Sequence, residues 1–440
     1  MPAFEETIAA VATPPGEGAI ALVRLSGPDS PKILSRIFHS SSASLKPRHA
    51  TFGRIADGEE TIDQVLVTTY RAPASFTGED MAEISCHGGI LLAAKILELV
   101  LRHGARTAEP GEFSQRAFFN GKIDLTRAEA IMDIIRARTP LALRAAAQQL
   151  EGRLGSEILA LRDTALETVA HIEAFIDFPE EGIDPATGRV LLEKIQTLLN
   201  RTTALLGTAD EGRILREGVR VAIAGKPNAG KSSLLNRLLG MDRAIVSEIP
   251  GTTRDTIEET ACLRGILYRL TDTAGLRETS DPVERQGVAR TERALESADL
   301  VLHVIDASTE EIPAALRENE ILVANKFDLP CPTLPPSAIP ISCATGAGFD
   351  QLLDAMSEAA GLRHLASGQS LAAINARHKA LLESTRASLE SATQLVKSNA
   401  PPELTAIELR AALDCLGRIV GTTDTEDILG EIFTRFCIGK

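Results

Sequence analysis

Residues 225–232 read Gly-Lys-Pro-Asn-Ala-Gly-Lys-Ser and fit the pattern GxxxxGK[ST]. The run Arg220–Ala224 before them has the composition of a strand, and Ser233–Leu239 after them that of a helix. In that setting a glycine-rich turn wraps backbone N–H groups around a polyphosphate, and the helix N-terminus adds partial positive charge. Gly225 and Gly230 permit the turn, with Asn228, Ala229 and Ser233 completing the cradle. Lys231 is expected to reach the β- and γ-phosphates, and the Ser232 hydroxyl to ligate Mg²⁺.

Outward from this loop, Tyr268–Thr271, Leu300–Ile305 and Ile321–Ala324 are apolar or β-branched strands separated by helical stretches. The alternation predicts a doubly wound parallel sheet over residues 218–363. Three more motifs follow its strands. Asp272-Thr-Ala-Gly275 places a carboxylate toward Mg²⁺ and a glycine amide toward the γ-phosphate. Asn325-Lys326-Phe-Asp328 offers Asp328 to the N1 and N2 donors of guanine, a pattern adenine lacks. Ser342-Cys343-Ala344 fits a loop backing the base. This ordered set resembles the translation-factor-type GTPases, and it implies GTP rather than ATP.

Between the first two motifs, Gly251-Thr-Thr-Arg-Asp255 suits a switch loop, with Thr253 as the residue capping Mg²⁺. After Gly275 stands Leu276, where Ras-type enzymes carry a water-positioning glutamine. The attacking water then needs another partner, and Glu278, Asp281 and Glu284 are candidates. No arginine finger is evident. A monovalent cation is one source of the missing positive charge, with Asn228 and the Ser247–Gly251 loop as oxygen ligands.

The flanks have other textures. Residues 1–120 mix strands (Ala19–Leu25, Ile62–Tyr70, Ala82–Cys86) with a helix at Ile90–Leu101, punctuated by Gly and Pro. Residues 121–217 are helical; Leu150, Leu154, Ile158, Leu161, Ala165, Val169, Ile172 and Ile176 predict one face of a single long helix. Helical spacing returns over residues 364–440. The expected architecture is an α+β N-terminal domain and an α-helical domain from two chain segments, with a P-loop α/β domain inserted between them.

Composition narrows the function. The 440 residues exceed one ordinary domain, and 44% apolar content suffices for several cores. A net charge of −14 argues against a general nucleic-acid coat. The lack of Trp and the 3% aromatic content argue against base-stacking platforms. Six cysteines without a CxxC pair give neither a disulfide framework nor a zinc site. No apolar run approaches the about eighteen residues of a membrane span, and the N-terminus lacks a signal-peptide pattern. A cytoplasmic location is expected.

The TTRD loop, the Leu after DTAG and the phosphate-loop Asn resemble the potassium-activated GTPases. Residues 12–27 (ATPPGEGAIALVRLSG), 75–89 (SFTGEDMAEISCHGG), 109–135 (EPGEFSQRAFFNGKIDLTRAEAIMDII), 174–181 (AFIDFPEE) and 437–440 (CIGK) look like the MnmE (TrmE) family of tRNA modification GTPases. That resemblance implies a folate-binding-like N-terminal domain that forms a homodimer. It also implies a partner carrying FAD (MnmG, or GidA), a heterotetramer with it, and tRNA as substrate. The product would be a (carboxymethyl)aminomethyl group on C5 of the wobble uridine, its one-carbon unit drawn from methylene-tetrahydrofolate. By matched position it places Arg24, Glu83, Lys122 and Lys440 at a folate derivative such as 5-formyl-tetrahydrofolate. Asn228, Ser247, Ile249 (through its carbonyl) and Thr252 match the K⁺ ligands, and Glu284 the residue holding the catalytic water. Pro250 departs from the usual Ala and stiffens that loop. Cys437 falls at the modification site, as a nucleophile or as pocket lining. A ribosome-assembly GTPase, or a GTP-dependent scaffold without one-carbon chemistry, is the competing reading. The N-terminal texture and the CIGK tail separate it from the first.

Overall fold

The computed structural model describes residues 5–41, 44–177, 188–241, 258–272, 295–308, 316–317, 319–331, 333–361, 374–423, 426–434 and 436–440. Two compact units emerge. One comprises Met1–Met132, Gly155–Asp163 and Leu413–Lys440, and the other Asp133–Leu154 and Thr164–Ala412.

In the first unit, β1 (Ile8–Val11), β2 (Ile20–Ser26), α1 (Ser30–Ile37), β3 (Phe38–His39), β4 (Thr51–Asp57), β5 (Glu60–Tyr70), β6 (Met81–His87), α2 (Ile90–Arg102) and β7 (Arg106–Thr107) follow in order. The seven strands form one sheet in the order β3-β4-β5-β6-β2-β1-β7, antiparallel except for the β1–β7 pair. The period-two alternation of strands decides what each face carries. Ala21, Val23 and Leu25 of β2 join Ala82, Ile84 and Cys86 of β6 in a core under Ile33, Leu34 and Ile37 of α1 and Ile96, Leu99 and Val100 of α2. Arg24 and Glu83 therefore point to the opposite face. The β2–β6 register sets them directly across from each other.

Next come α3 (Glu112–Phe119) and α4 (Leu125–Arg136). Leu125, Ala128 and Met132 of α4 cluster with Leu429, Phe433 and Phe436 from the far end of the chain. An ionic network lies beside them. Arg116 is fully buried and donates to Glu112 Oε1 (2.9 Å), to Glu79 Oε2 (3.1 Å) and to the Glu6 carbonyl (2.9 Å). Arg106 adds a bond to Glu112 Oε2 at 2.8 Å, and Ser26 Oγ donates to Glu79 Oε2 at 2.6 Å. Burial pushes the Glu112 carboxyl up, but bonds from Arg106, the Glu109 amide and Arg116 outweigh it and hold the group below its ordinary value.

The expected single helix through Leu150–Ile176 is two. α5 (Pro140–Leu150), capped by the Thr139 hydroxyl, ends before Gly152, and α6 (Arg153–Asp177) starts anew. Gly152 sits at φ 91°, a conformation a helix cannot continue through. Leu154, Ile158, Leu161, Ala165, Val169 and Ile172 do line the buried face of α6, whereas Leu150 belongs to α5. The 3.6 period survived the break because the gap happened to keep phase.

The second unit continues with α7 (Gly188–Gly207) and α8 (Ala209–Glu217), then β8 (Val219–Ala224), α9 (Lys231–Gly240), β9 (Glu258–Leu263), β10 (Ile266–Asp272), β11 (Leu300–Asp306), β12 (Glu320–Asn325), β13 (Ala338–Pro340) and α10 (Phe349–Ala359). Among the described residues these six strands form a sheet in the order β13-β12-β11-β8-β10-β9. It is parallel except for its edge, where β9 runs antiparallel to β10. The wholly parallel sheet expected from the sequence is thus corrected by one hairpin. Its turn, Arg264-Gly265, takes positive φ at both residues, and a two-residue hairpin needs that twist.

After the sheet come α11 (Ala376–Lys397), α12 (Pro402–Val420) and α13 (Glu426–Thr434). α11 opens on a capping box between Asn375 and His378 and packs along α7. Arg410 of α12 pairs with Glu173 of α6. Within the second unit, helices before and after the sheet in sequence thus pack together.

Candidate GTP and one-carbon sites

The parallel strands β8, β10, β12 and β13 each deliver a motif at or just past a C-terminal end, where open α/β sheets take their ligands. β8 runs into Gly225 and the phosphate loop. Asn228 there adopts φ 65° and is exposed. Lys231 is 6% exposed, and its Nζ donates to the Lys226 carbonyl at 2.8 Å across the mouth of the loop. Ser232 Oγ donates to Asp272 Oδ2 at 2.8 Å. A hydroxyl and a carboxylate oxygen at that separation suit one hard divalent cation. Ser233 is exposed at the start of α9, and Ala229 is buried beneath the loop.

Asn325 ends β12 and is 2% exposed. Its Nδ2 donates to the Ala229 carbonyl at 3.0 Å, and its Oδ1 accepts from the Cys343 amide at 3.1 Å. One amide thereby ties the phosphate loop to the loop after β13. The fit is close: a Cβ on Gly230, at φ 100°, would lie 2.1 Å from that Nδ2. Only glycine serves at this position. Ser342 is buried and accepts from the Thr345 amide at 3.1 Å, which curls the loop, and Ala344 is exposed on it.

Lys326, at φ 64°, donates to Asp306 Oδ2 at 2.6 Å. This partner at the end of β11 was not legible, because no local pattern links the two residues. The Lys326 bond, followed by the Ser308 hydroxyl, holds the Asp306 carboxyl down at about 2. Asp328 is exposed. If it reads guanine, Asp328→Asn should lower GTP affinity by roughly a hundredfold and favour xanthosine triphosphate, whose exocyclic oxygen accepts from the new amide. Competition binding of the two nucleotides checks this, and unchanged preference for GTP would remove Asp328 from the base site.

Ser247, Ile249, Pro250, Thr252, Thr253, Gly275, Leu276, Glu278, Asp281 and Glu284 lie outside the described residues. Of the four K⁺ candidates, only Asn228 is placed.

The second candidate site is on the first unit. Arg24 Nε and Nη2 donate to Glu83 Oε1 at 3.0 and 2.8 Å. Tyr70 OH donates to Glu83 Oε2 at 3.1 Å. Burial, then the neighbouring carboxylate, push the Tyr70 phenol above its ordinary value, so it stays a donor. The Arg24 guanidinium lies near two rings, with centroids 5.8 Å away at Phe76 and 5.7 Å away at Phe113. Tyr70, Phe76 and Phe113 were missed from sequence, although Tyr70 ends a strand read correctly. Lys122 donates to the Pro73 carbonyl at 2.9 Å, in the loop that also carries Phe76.

The CIGK tail reaches this cluster. The Gly439 carbonyl accepts from Arg24 Nη1 at 3.2 Å. Cys437 is exposed, Gly439 buried and Lys440 half-buried. The tail is thereby packed against Arg24.

Family comparisons agree with this geometry. The model described as the GTP-binding protein TrmE N-terminus matches residues 7–122, and that of the MnmE helical domain matches residues 125–437. A tRNA modification GTPase MnmE from Akkermansia muciniphila is 51% identical over 448 residues, covering 99% of each chain. The one from Thermoanaerobacter pseudethanolicus is 44% identical over 457 residues, again covering 99% of each. Among solved structures, the G domain of the T. maritima FeoB iron transporter aligns with 32% of this chain and 98% of that one. Its identity is 28% and its TM-score 0.23. With relatives this similar along nearly the whole length, and a phosphate loop tied to its neighbouring loop at the end of a parallel sheet, the chain belongs to the MnmE family of tRNA modification GTPases.

Proposed function

We propose that this GTPase acts on the wobble uridine of certain tRNAs and adds a (carboxymethyl)aminomethyl group at C5, with a tetrahydrofolate derivative supplying the one-carbon unit. The observation that carries this reading is the Arg24–Glu83–Tyr70 cluster, set near Phe76 and Phe113. Its chemistry suits a reduced pterin. A guanidinium meets carboxylate or carbonyl oxygens, a carboxylate accepts from ring N–H groups, and the exposed Phe76 ring offers a face to the heterocycle. Lys122 and Lys440 add positive charge for an anionic glutamate tail. Cys437 is the nearby thiol, as nucleophile or as lining. Bound folate would supply the carbon; this chain's residues would bind and orient it.

On the other unit, Lys231 would neutralise the phosphates, while Ser232 and Thr253 would hold Mg²⁺ with Asp272 close by. Asn228, Ser247, Ile249 and Thr252 would hold K⁺, which supplies the positive charge an arginine finger gives elsewhere. Glu284 would orient the attacking water. Gly225, Ala229, Gly230, Ser233 and Gly275 would line the phosphates, and Asn325, Lys326, Asp328, Ser342, Cys343 and Ala344 the base. We assign residues 1–120 to a dimerising folate domain, 121–217 and 364–440 to the helical domain, and 218–363 to the GTPase domain. A homodimer working with an FAD-bearing flavoprotein as a heterotetramer, in the cytoplasm, completes the reading. Among the described residues no helix is long and apolar enough to cross a membrane.

Reconstitution tests it. The chain, its flavoprotein partner, tRNA, GTP, Mg²⁺, K⁺, an amine donor (ammonium for the aminomethyl group, glycine for the carboxymethylaminomethyl group) and methylene-tetrahydrofolate labelled in the one-carbon unit should transfer the label to the wobble uridine, as read by mass spectrometry of the digested tRNA. Modified uridine without the label would refute the folate source.

A further inference from the structure

We propose that Asp306 is a positioning residue of the nucleotide site: it pins the Lys326 ammonium so that the lysine stem stands as one fixed wall of the slot for the purine ring. The inference rests on the guanine reading of the loop after β12 and names the residue that fixes its shape. Lys326 is the first residue past β12, between buried Asn325 and an exposed stretch that includes Asp328. It takes φ 64°, a left-handed conformation that a long side chain adopts only when its surroundings impose it. Its side chain is half-buried, and its ammonium is turned back onto the protein. Nζ donates to Asp306 Oδ2 at 2.6 Å, a short bond charged at both ends. The root is held as well: the Phe327 amide donates to the Ile341 carbonyl at 3.1 Å, and the Leu329 amide to the Lys326 carbonyl at 3.0 Å. Fixed at both ends, the methylene stem offers an apolar edge of the kind a heterocycle packs on.

The anchor is itself rigid. Asp306 is the last residue of β11 and is buried, and the parallel register sets it beside Asn325. The Ala307 amide donates to the Asn325 carbonyl at 2.9 Å, which closes the strand ends together. Asp306 Oδ1 accepts from the Ser308 amide at 3.0 Å and from the Ser308 hydroxyl at 2.7 Å. Ser308 thus orients the carboxylate through one oxygen while the other holds Lys326. A site built this way keeps its shape before the ligand arrives. Two strand-end aspartates then divide the work. Asp272, at the end of β10, bonds Ser232 on the phosphate side, and Asp306 serves the base side. The base is common to GTP and GDP, so Asp306 acts on the binding of both.

A double-mutant cycle on the full chain tests this. Asp306→Asn keeps the shape of the side chain but not its charge. It should weaken GTP and GDP alike by roughly tenfold, the worth of one bond between charged groups, and raise KM for GTP hydrolysis at constant kcat. Lys326→Met should weaken both nucleotides too, and in that background Asp306→Asn should cost nothing further, because its effect runs through the ammonium. Should Lys326→Met not fold, the double variant, which leaves no charge unpaired, decides. It should bind both nucleotides as Asp306→Asn does. Wild-type KM in Asp306→Asn, a loss confined to GTP, or the same loss with and without the lysine would overturn the proposal and leave Asp306 a structural end to its strand. If Lys326→Met binds both nucleotides as wild type does, the guanine reading of this loop fails, and the proposal falls with it.

Discussion

Replacing Asn325 by alanine should reduce GTP affinity and kcat/KM together by roughly a hundredfold, the loss of about 3 kcal/mol expected when a buried and a half-buried partner are left unpaired. Asn325 bonds both to the phosphate loop, at the Ala229 carbonyl, and to the base-backing loop, at the Cys343 amide. Its removal leaves a carbonyl and an N–H without their bonds, and Gly230 loses the amide packed on it. Asn325→Asp separates the two ties. The carboxylate still accepts from Cys343 but cannot donate to Ala229, so guanine discrimination should persist while phosphate affinity falls. Nucleotide titration and steady-state hydrolysis, with circular dichroism as a control on folding, check both variants. Wild-type kinetics in Asn325→Ala would mean that the loops hold each other by other means.

The second large effect concerns stability. Arg116→Met should destabilise the first unit by about 3–5 kcal/mol, the usual cost of removing one partner from a buried ionic network. Arg116 is fully buried and joins Glu112, Glu79 and the Glu6 carbonyl. Without it, two carboxylates share less positive charge in a poorly solvated place. Two units of this size need not unfold together, so the melting of each is followed separately. GTP should shift the transition of the second unit and leave that of the first in place. Acid acts on the same network. The folded Glu112 pKa lies below its ordinary value, so its contribution is fully present above the unfolded pKa of about 4.3 and is lost as pH falls through the folded one. Arg116→Met should flatten that acid limb. An unchanged melting point would show that packing of Phe113 and its neighbours, rather than the ions, holds this region.

The GTP motifs were legible because each is a run of adjacent residues whose chemistry depends on local backbone. A glycine loop between a strand and a helix declares itself. The strands bearing Arg24 and Glu83 were legible by their alternation. Their pairing was not, since a register is fixed between segments 59 positions apart. The Arg116 network is still less readable, for it joins residues separated by up to 110 positions. The break between α5 and α6 was hidden because Gly152 interrupts the helix without disturbing the apolar phase. The antiparallel β9 was missed because Arg264-Gly265 was not recognised as a hairpin turn.

The most direct measurement is equilibrium binding of 5-formyl-tetrahydrofolate to the purified chain, beside Arg24→Ala. Saturable binding by wild type, lost in a variant that melts normally, is the predicted result and places the one-carbon donor on this protein. Failure of the wild-type chain to bind at millimolar folate would contradict the proposed chemistry and leave a tRNA modification GTPase whose N-terminal cluster serves some other ligand.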